Sequence, residues 1–143
     1  MGVTSSRTTT WQTVRNLEPQ ECLRLLASAW VARLGLTTED GPQVLPVNHT
    51  VLDGAVYFRT NLDTSLVEAT RDTVVAVEAD ELSDRMESSW SVLVVGRATH
   101  VEDRAETTAV FARMREPWAP GSRTLLVKVV PTKVTGRRFE RDH

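Results

Sequence analysis

Cysteine and lysine are both scarce in this chain of 143 residues. Cys22 is the single cysteine, which excludes an intramolecular disulfide and is typical of a protein made for a reducing compartment, so we expect a cytoplasmic protein. Lys128 and Lys133 are the two lysines, and 15 of the 17 basic residues are arginine. Arginine binds phosphate and carboxylate as a planar fork, but coding composition alone also produces such a bias, and we interpret most of these arginines as surface charge.

An excess of either charge is absent as well. The chain has 17 basic and 19 acidic residues, a formal net charge of −2, and no run of one sign. Because binding to nucleic acid depends on many basic contacts with phosphates, we expect no nucleic-acid partner. No stretch approaches the roughly 18 to 20 apolar residues of a membrane helix, so we expect no membrane partner. With 41% hydrophobic residues, the composition is typical of a globular domain, and we expect a small-molecule substrate.

Several catalytic motifs are missing. The sequence contains no HExxH, Walker lysine loop, paired CxxC or GxSxG, which removes the strongest signatures of zinc proteases, nucleotide hydrolases, zinc modules and serine hydrolases. Three histidines, one of which is the last residue, do not indicate a metal site, so we expect no metal.

The length of the chain matches one domain. Its Ser/Thr-rich start lacks the apolar centre of a signal peptide. We therefore expect residues 1–16 to form a flexible leader and residues 17–143 to form a single domain.

Periodicity and turn residues predict six strands and three short helices in the order α, three β, α, two β, α, β. Turns of two to four residues join the first three strands, and such short links require antiparallel pairing, because a parallel crossover needs about a dozen residues or more. Gly96 lies inside the longest β run and predicts a bend or bulge. Asp103 and Glu106 have the spacing of a capping box. The predicted strands are 30–37, 43–52, 55–60, 74–78, 90–101 and 124–134, the helices are 17–29, 62–72 and 103–115, and 80–89 is a loop.

The six predicted strands are apolar and antiparallel, and little chain is left to cover both faces of a sheet. Closing the sheet into a small barrel best meets this shortage of cover and also removes unpaired edges. We therefore expect a mainly β fold of the α+β class. The interior of so narrow a barrel is filled by its own side chains. Any cofactor must bind outside, against the barrel wall or between subunits.

One arginine stands at a place suited to binding an anion. Arg59 ends a predicted strand and leads into the helix that begins near Leu62, where backbone N–H groups and the helix dipole favour negative charge. The hydroxyls of Thr60, Thr64 and Ser65 surround the same turn. The alternative interpretation is a solvated turn with a surface arginine.

A series of short segments between Leu17 and Phe139 occurs in the same order in a known family. Each segment is weak evidence alone, but the ordered set resembles the flavin-binding split-barrel proteins related to pyridoxamine 5′-phosphate oxidase. The matching segments are Glu21-Cys22-Leu23, Leu25-Leu26, Leu45-Pro46-Val47-Asn48, Asp53-Gly54, Phe58-Arg59-Thr60, Val77-Glu78-Ala79-Asp80, the run from Trp90 to Ala98, and Gly136-Arg137-Arg138.

The resemblance implies a six-stranded antiparallel split β-barrel with three short helices. It also implies a homodimer that binds two flavin mononucleotides (FMN) at the subunit interface. The phosphate would lie near the Arg59 turn, the ring along the strand that holds Pro46, and the strand that begins at Trp90, often of the second subunit, would close the site. The cofactor-binding residues implied in this way are Pro46, Val47, Asn48, His49, Arg59, Thr60, Thr64, Ser65, Trp90 and Ser91.

The sequence departs from the family pattern at two positions. Relatives usually have a lysine or arginine where this chain has Ser65, and loss of that cation removes a charge-assisted bond to phosphate. A tyrosine is common at the position of His49, which would stack on the flavin ring, donate to a flavin carbonyl, or serve as a partly buried structural histidine.

Three further features have open alternatives, and a fourth, Cys22, has one interpretation. Trp90 is a ring partner or a core or dimer residue, Trp118 is a mobile lid or interface filler, and we read Cys22 as core. The acidic residues Asp80, Glu81, Asp84 and Glu87 form a solvated loop or rim the substrate entrance.

A bound flavin would supply the redox chemistry, which explains why no acid–base pair is visible in the sequence. The resemblance implies an FMN-dependent oxidoreductase that transfers two electrons to or from a small organic substrate. One alternative is a reductase that uses the deazaflavin coenzyme F420 on the same fold. A non-enzymatic protein that binds flavin or haem is the other, and Ser65 favours it.

Overall fold

The computed structural model describes residues 11–82, 88–114 and 124–141. The described chain contains seven strands and three helices. In chain order these are β1 (Trp11–Asn16), α1 (Pro19–Ser28), β2 (Ala32–Thr38), β3 (Gly41–Leu52), β4 (Ala55–Asn61), α2 (Thr64–Ala69), β5 (Thr73–Glu81), β6 (Ser88–His100), α3 (Arg104–Phe111) and β7 (Thr124–Arg141).

The strands form one antiparallel sheet that closes on itself. The strand order is β1-β7-β4-β3-β2-β5-β6, and an additional β6–β7 pairing joins the two sides of the sheet into a ring. The long β7 makes this closure possible, because it pairs with β4 through residues 124–129 and with β6 through residues 127–140. The predicted mainly β split barrel with three helices is confirmed.

The described chain has one strand more than the six predicted. β1 pairs with the far end of β7, from Asn16 opposite Arg137 to Trp11 opposite Arg141, and the amide of Leu17 donates to the carbonyl of Gly136 at 2.9 Å. The expectation of a flexible leader is therefore wrong for residues 11–16. The physical reason for the additional pairing is the length of β7. Beyond Val129, the last residue that pairs with β4, the edge of β7 offers backbone N–H and C=O groups to another strand. Residues 1–10 lie outside the described residues.

The predicted meander of the first three barrel strands is confirmed. β2 pairs with β3 and β3 with β4, both antiparallel. The turn between β3 and β4 has positive φ at both Asp53 (52°) and Gly54 (79°), which is the geometry that matches the twist of a two-residue hairpin.

Gly96 marks a bulge, as predicted. The pairing of β6 with β7 shifts register between Val95 and Gly96, and Gly96 lies opposite Pro131. A Cβ atom at Gly96 would collide with the carbonyl oxygen of Val130, so the two backbones approach more closely here than a side chain would allow.

Side chains fill the barrel interior. Phe58, Leu34, Val77 and other inward residues of the strands pack with Leu26 and the fully buried Cys22 of α1, which confirms the core interpretation of this cysteine. A second, smaller cluster lies on the outer face of β4 and β7. It joins Ala55, Tyr57 and Leu126 to Val110 of α3.

Side-chain caps fix where two helices begin. Asp63 accepts from the amide of Ser65 at 2.9 Å, so α2 begins at Thr64 rather than at Leu62. Asp103 accepts from the amide of Glu106 at 2.8 Å, as the capping-box spacing predicts. The side chain of Glu106 does not return to the cap and contacts β4 and β7 instead.

The predicted loop 80–89 is shorter than expected, because β5 continues to Glu81 and β6 begins at Ser88. Asp84, Glu87 and Trp118 lie outside the described residues, so their predicted roles do too. None of the three helices in the described part of the chain has the length and apolar character needed to cross a membrane.

Candidate functional site

A candidate site is a cavity of about 540 Å³ on the outside of the barrel. Its walls come from the segment before β2, from the middle of β3, from the end of β4 and from α2. The lining residues are Trp30, Val31, Leu45, Pro46, Val47, Asn48, His49, Arg59, Thr60, Asn61 and Leu66.

Sheet register brings these segments together. Ala32 of β2 lies opposite Val47, which places the residues before β2 beside the middle of β3. Asn48 of β3 lies opposite Arg59 of β4, so these two polar residues are cross-strand neighbours. Six of the ten residues implied by the family resemblance therefore meet in one cavity. They are Pro46, Val47, Asn48, His49, Arg59 and Thr60.

His49 lies in the cavity wall and is mostly buried. Its Nε2 atom is 2.8 Å from the carbonyl oxygen of Leu26 in α1. Because a carbonyl only accepts, Nε2 carries the proton of this bond. The ring therefore ties β3 to α1, which agrees with the structural interpretation of His49.

Within the described part of the chain, Arg59 is the one lysine or arginine that lines the cavity. Its side chain is partly buried, and this burial lowers the pKa of the guanidinium. The group remains charged, because an arginine pKa starts far above neutral pH. Its Cζ atom lies 3.9 Å from the centre of the Phe111 ring in α3. A cation held in such partly desolvated surroundings attracts an anion more strongly than one in open water.

Thr64 and Ser65 lie elsewhere. They line a second groove of about 410 Å³, whose other walls include Thr38, Glu39 and Asp40 at the β2–β3 turn. The hydroxyl of Ser65 donates to Asp63 at 2.5 Å and so supports the cap of α2. Within one chain, the structure does not bring these two residues into the cavity of Arg59.

Trp90 and Ser91 are also separate from this cavity. Trp90 is 5% exposed and packs in the main core, which agrees with its interpretation as a core residue. Ser91 lines a third groove of about 290 Å³ together with Gly136 and Arg137. A contact of either residue with the cavity described here would have to come from a second copy of the chain.

Five lining residues were missed from the sequence: Trp30, Val31, Leu45, Asn61 and Leu66. Trp30 is the largest of them and is 74% exposed. The sequence suggests a strand that begins at Trp30, whereas β2 begins at Ala32. The sequence feature that could have identified this wall of the cavity was the pair Trp30-Val31, two large apolar residues at the start of a short predicted strand.

The cavity has the chemistry of a site for an apolar group with an anionic end. Its walls are mainly apolar, and its polar side chains are Asn48, His49, Thr60 and Asn61 besides the guanidinium of Arg59. No carboxylate is found among the described lining residues. Such a site favours a ligand that carries negative charge near Arg59.

Comparison with known proteins agrees with this geometry. Residues 18–138 match the family model described as pyridoxamine 5′-phosphate oxidase. An uncharacterized protein of Mycobacterium tuberculosis, Rv0080, is 40% identical over 134 residues, which cover 90% of this chain and 88% of that protein.

Two solved structures are similar throughout. The structure of the FAD binding protein from Mycobacterium smegmatis is 35% identical and has a TM-score of 0.77, covering 90% of this chain and 100% of that one. A FAD-binding protein from Mesorhizobium loti is 24% identical with a TM-score of 0.71, covers 87% of this chain and 97% of that one, and shares the fold. The family model spans most of the barrel, and the chain therefore belongs to the pyridoxamine 5′-phosphate oxidase family.

Proposed function

We propose that this chain binds a flavin nucleotide in the cavity between β3, β4 and the segment before β2. The observation that carries the proposal is the position of Arg59, which is the one lysine or arginine among the described residues that line a mainly apolar cavity of about 540 Å³. Cavities of this volume with few polar groups are typical of cofactor sites. The relative from M. smegmatis, which is described as FAD binding, supports the same ligand class.

The residues present fit a flavin nucleotide. The flat ring system would lie against the strand segment from Pro46 to His49, with Trp30 at its exposed edge. The phosphate of the ribityl chain would accept from Arg59 and Thr60. An arginine gives two parallel charge-assisted bonds to a phosphate, so Arg59 would contribute most of the phosphate affinity.

We propose FMN as the cofactor. FAD and coenzyme F420 contain the same type of ring system and a phosphate at the corresponding place, so Arg59 would have the same role with each. Ser65, which is used to cap α2, would not replace the cation that relatives usually have. The phosphate site of this chain would thus depend strongly on Arg59.

Two copies of the chain would complete the site. Val44, Val74 and Leu93 are exposed on the outer face of the sheet, and monomeric proteins rarely expose several large apolar residues on one face. We propose that this face pairs two copies, with β6 of one closing the cavity of the other. Light scattering should then give twice the mass of one chain, and the mass of a single chain would contradict the dimer.

A bound flavin would supply two-electron redox chemistry between a small molecule and a second acceptor. The chain would hold the ring and the phosphate and leave one side of the ring open for substrate. The proposed activity is that of an oxidoreductase acting on a small organic molecule.

Removal of the Arg59 side chain tests the phosphate site. In Arg59→Ala, we expect the dissociation constant for FMN to rise by more than about tenfold, because hydrogen bonds to charged groups contribute roughly 1.5 to 3 kcal/mol. Riboflavin, which lacks the phosphate, should bind both proteins alike. Calorimetric titration of each ligand measures this difference.

Arg15→Ala is the matched control. Arg15 is another strand arginine, but it is exposed on β1, pairs with Glu21 at 3.8 Å and does not line the cavity. It should leave the affinity for FMN unchanged. An unchanged FMN affinity in Arg59→Ala would refute the assignment of Arg59.

A further inference from the structure

The guanidinium of Arg59 lies between the cavity and α3. Arg59 lines the cavity, and its Cζ atom also lies 3.9 Å from the centre of the Phe111 ring. Phe111 ends α3 and is 38% exposed, so the ring is not simply buried in a core. The ring contacts the cation that our proposed function assigns to phosphate.

Neighbouring contacts hold α3 against this face of β4. Tyr57 and Arg59 are alternate residues of β4, so both side chains project from the same face. Tyr57 donates to the carboxylate of Glu106 at 2.6 Å, and Val110 is fully buried in the outer cluster. The position of Phe111 over Arg59 is thus fixed by the packing of its helix.

A stacked ring restricts the guanidinium without using its donors. Arginine loses considerable rotamer entropy when it is fixed on a ligand, and part of that loss is avoided if the side chain is already held before binding. The ring lies over the Cζ atom, whereas the N–H groups point outward from Cζ in the plane of the guanidinium. The ring contact itself therefore does not use the donors that would bind an anion.

We propose that Phe111 is a positioning residue for the flavin phosphate, acting through Arg59. This inference rests on the proposed function and adds to it a residue that determines ligand specificity. Phe111 would favour ligands that carry a phosphate over those that do not, although the ring itself touches no part of the ligand. Phe111 belongs to α3, and the described cavity lining includes no residue of α3.

Phe111→Leu and Phe111→Tyr test the proposal. In Phe111→Leu, we expect the dissociation constant for FMN to rise about fivefold, the effect of losing one cation–π contact, and riboflavin affinity to stay unchanged. Phe111→Tyr retains an aromatic face and should restore FMN affinity. In an Arg59→Ala background, Phe111→Leu should have no further effect on FMN binding, because the group through which it acts is gone.

A second measurement follows the arginine without any ligand. In ¹⁵N-resolved NMR spectra, the Nε–H signal of Arg59 should be displaced by the ring current of Phe111 and should move to the position of exposed arginines in Phe111→Leu. Thermal unfolding of each variant shows whether the fold is retained.

The outcomes separate the two proposals. If Arg59→Ala weakens FMN binding and Phe111→Leu does not, the positioning role is wrong and the phosphate site stands. Equal losses of FMN and riboflavin affinity in Phe111→Leu also contradict the positioning role, since they show a general effect on the cavity. If the wild-type protein binds no flavin, the proposed function and this inference both fail.

Discussion

At the scale of single residues, His100 connects the barrel to α2. Its Nε2 atom lies 3.0 Å from the hydroxyl of Thr70, and that hydroxyl donates its own proton to the carbonyl of Leu66 at 2.7 Å. The imidazole N–H therefore donates to the Thr70 oxygen. Burial lowers the pKa of His100, and the nearby charge of Arg71 lowers it further. A backbone hydrogen bond with Val67 and the charges of Glu102 and Glu68 act in the opposite direction, but the pKa remains lowered.

This pKa shift predicts a loss of stability in mild acid. The unfolded chain takes up a proton at the ordinary histidine pKa of about 6.5, before the folded chain does, so the free energy of unfolding should fall as pH decreases below that value. Urea unfolding at pH 7.5 and pH 5.5 measures the difference. In His100→Gln the difference should be smaller, and an equal difference in both proteins would contradict the role of His100.

Gly136 is required because α1 passes close to β7. A Cβ atom at this position would lie 2.6 Å from the Sγ atom of Cys22 and 3.0 Å from the carbonyl oxygen of Ser91. Gly136→Ala should lower the free energy of unfolding by about 1 to 3 kcal/mol, the usual cost of overpacking. Cys22→Ala in the same chain should recover part of this loss, because it removes the closest atom.

Gly35→Ala is the control for that comparison. The nearest atom to a Cβ at Gly35 is 3.7 Å away, which is ordinary van der Waals contact. Urea unfolding should show little change in this variant. If Gly136→Ala is as stable as Gly35→Ala, the close approach of Cys22 does not limit the size of the residue at position 136.

Local sequence identified part of the site at this scale. Arg59 and Thr60 stand out at a strand end, and the resemblance added the segment from Pro46 to His49, all of which line one cavity. The stacking of Arg59 on Phe111 could not be predicted, because it depends on how α3 packs on β4. Trp30 was missed because its exposure depends on where β2 begins.

At the scale of elements, α3 is held on the barrel by a small ionic network. Glu106 accepts from Tyr57 at 2.6 Å and pairs with Lys128 at 3.1 Å. Burial and the bond to Glu106 raise the pKa of Tyr57, and the bonds from Tyr57 and Lys128 lower the pKa of Glu106. The Tyr57 hydroxyl therefore stays protonated at neutral pH and Glu106 stays ionised.

Tyr57→Phe removes the hydroxyl of this network and keeps its ring. We expect α3 to lose about 2 kcal/mol of stabilisation, within the range for hydrogen bonds to charged groups. Hydrogen exchange should show faster exchange of the α3 amides with little change in β5 and β6. In a Glu106→Ala background the same substitution should cost much less. Uniform acceleration across the barrel would contradict this local role.

The sequence predicted most elements, and the errors are misplaced strand ends and one missed strand. Caps and turns are local, so Asp103 and the Asp53-Gly54 hairpin were identifiable. The full length of β7 was not identifiable, because Gly136 resembles a strand breaker just beyond the predicted end at residue 134. Pro131 lies inside the predicted strand and is accommodated opposite the Gly96 bulge. β1 was missed because its partner lies at the other end of the chain.

At the scale of the whole molecule, closure of the barrel determines where a ligand can bind. The interior is filled by a core that includes Phe58, Leu34 and Trp90, so the cavity lies outside. Sequence reasoning reached this conclusion from the small number of strands. Placing Trp90 and Ser91 near the cavity depends on a second copy, and the pattern of one chain does not specify how two copies associate.

The central claim is that this molecule binds a flavin nucleotide, and the cofactor of the purified protein tests it most directly. The absorption spectrum should show the visible bands of an oxidised flavin, and mass spectrometry of the heat-released ligand should identify FMN at one molecule per chain. Protein purified without its cofactor should be stabilised against thermal unfolding by added FMN. A colourless protein whose unfolding temperature does not respond to FMN, FAD or coenzyme F420 would contradict the account.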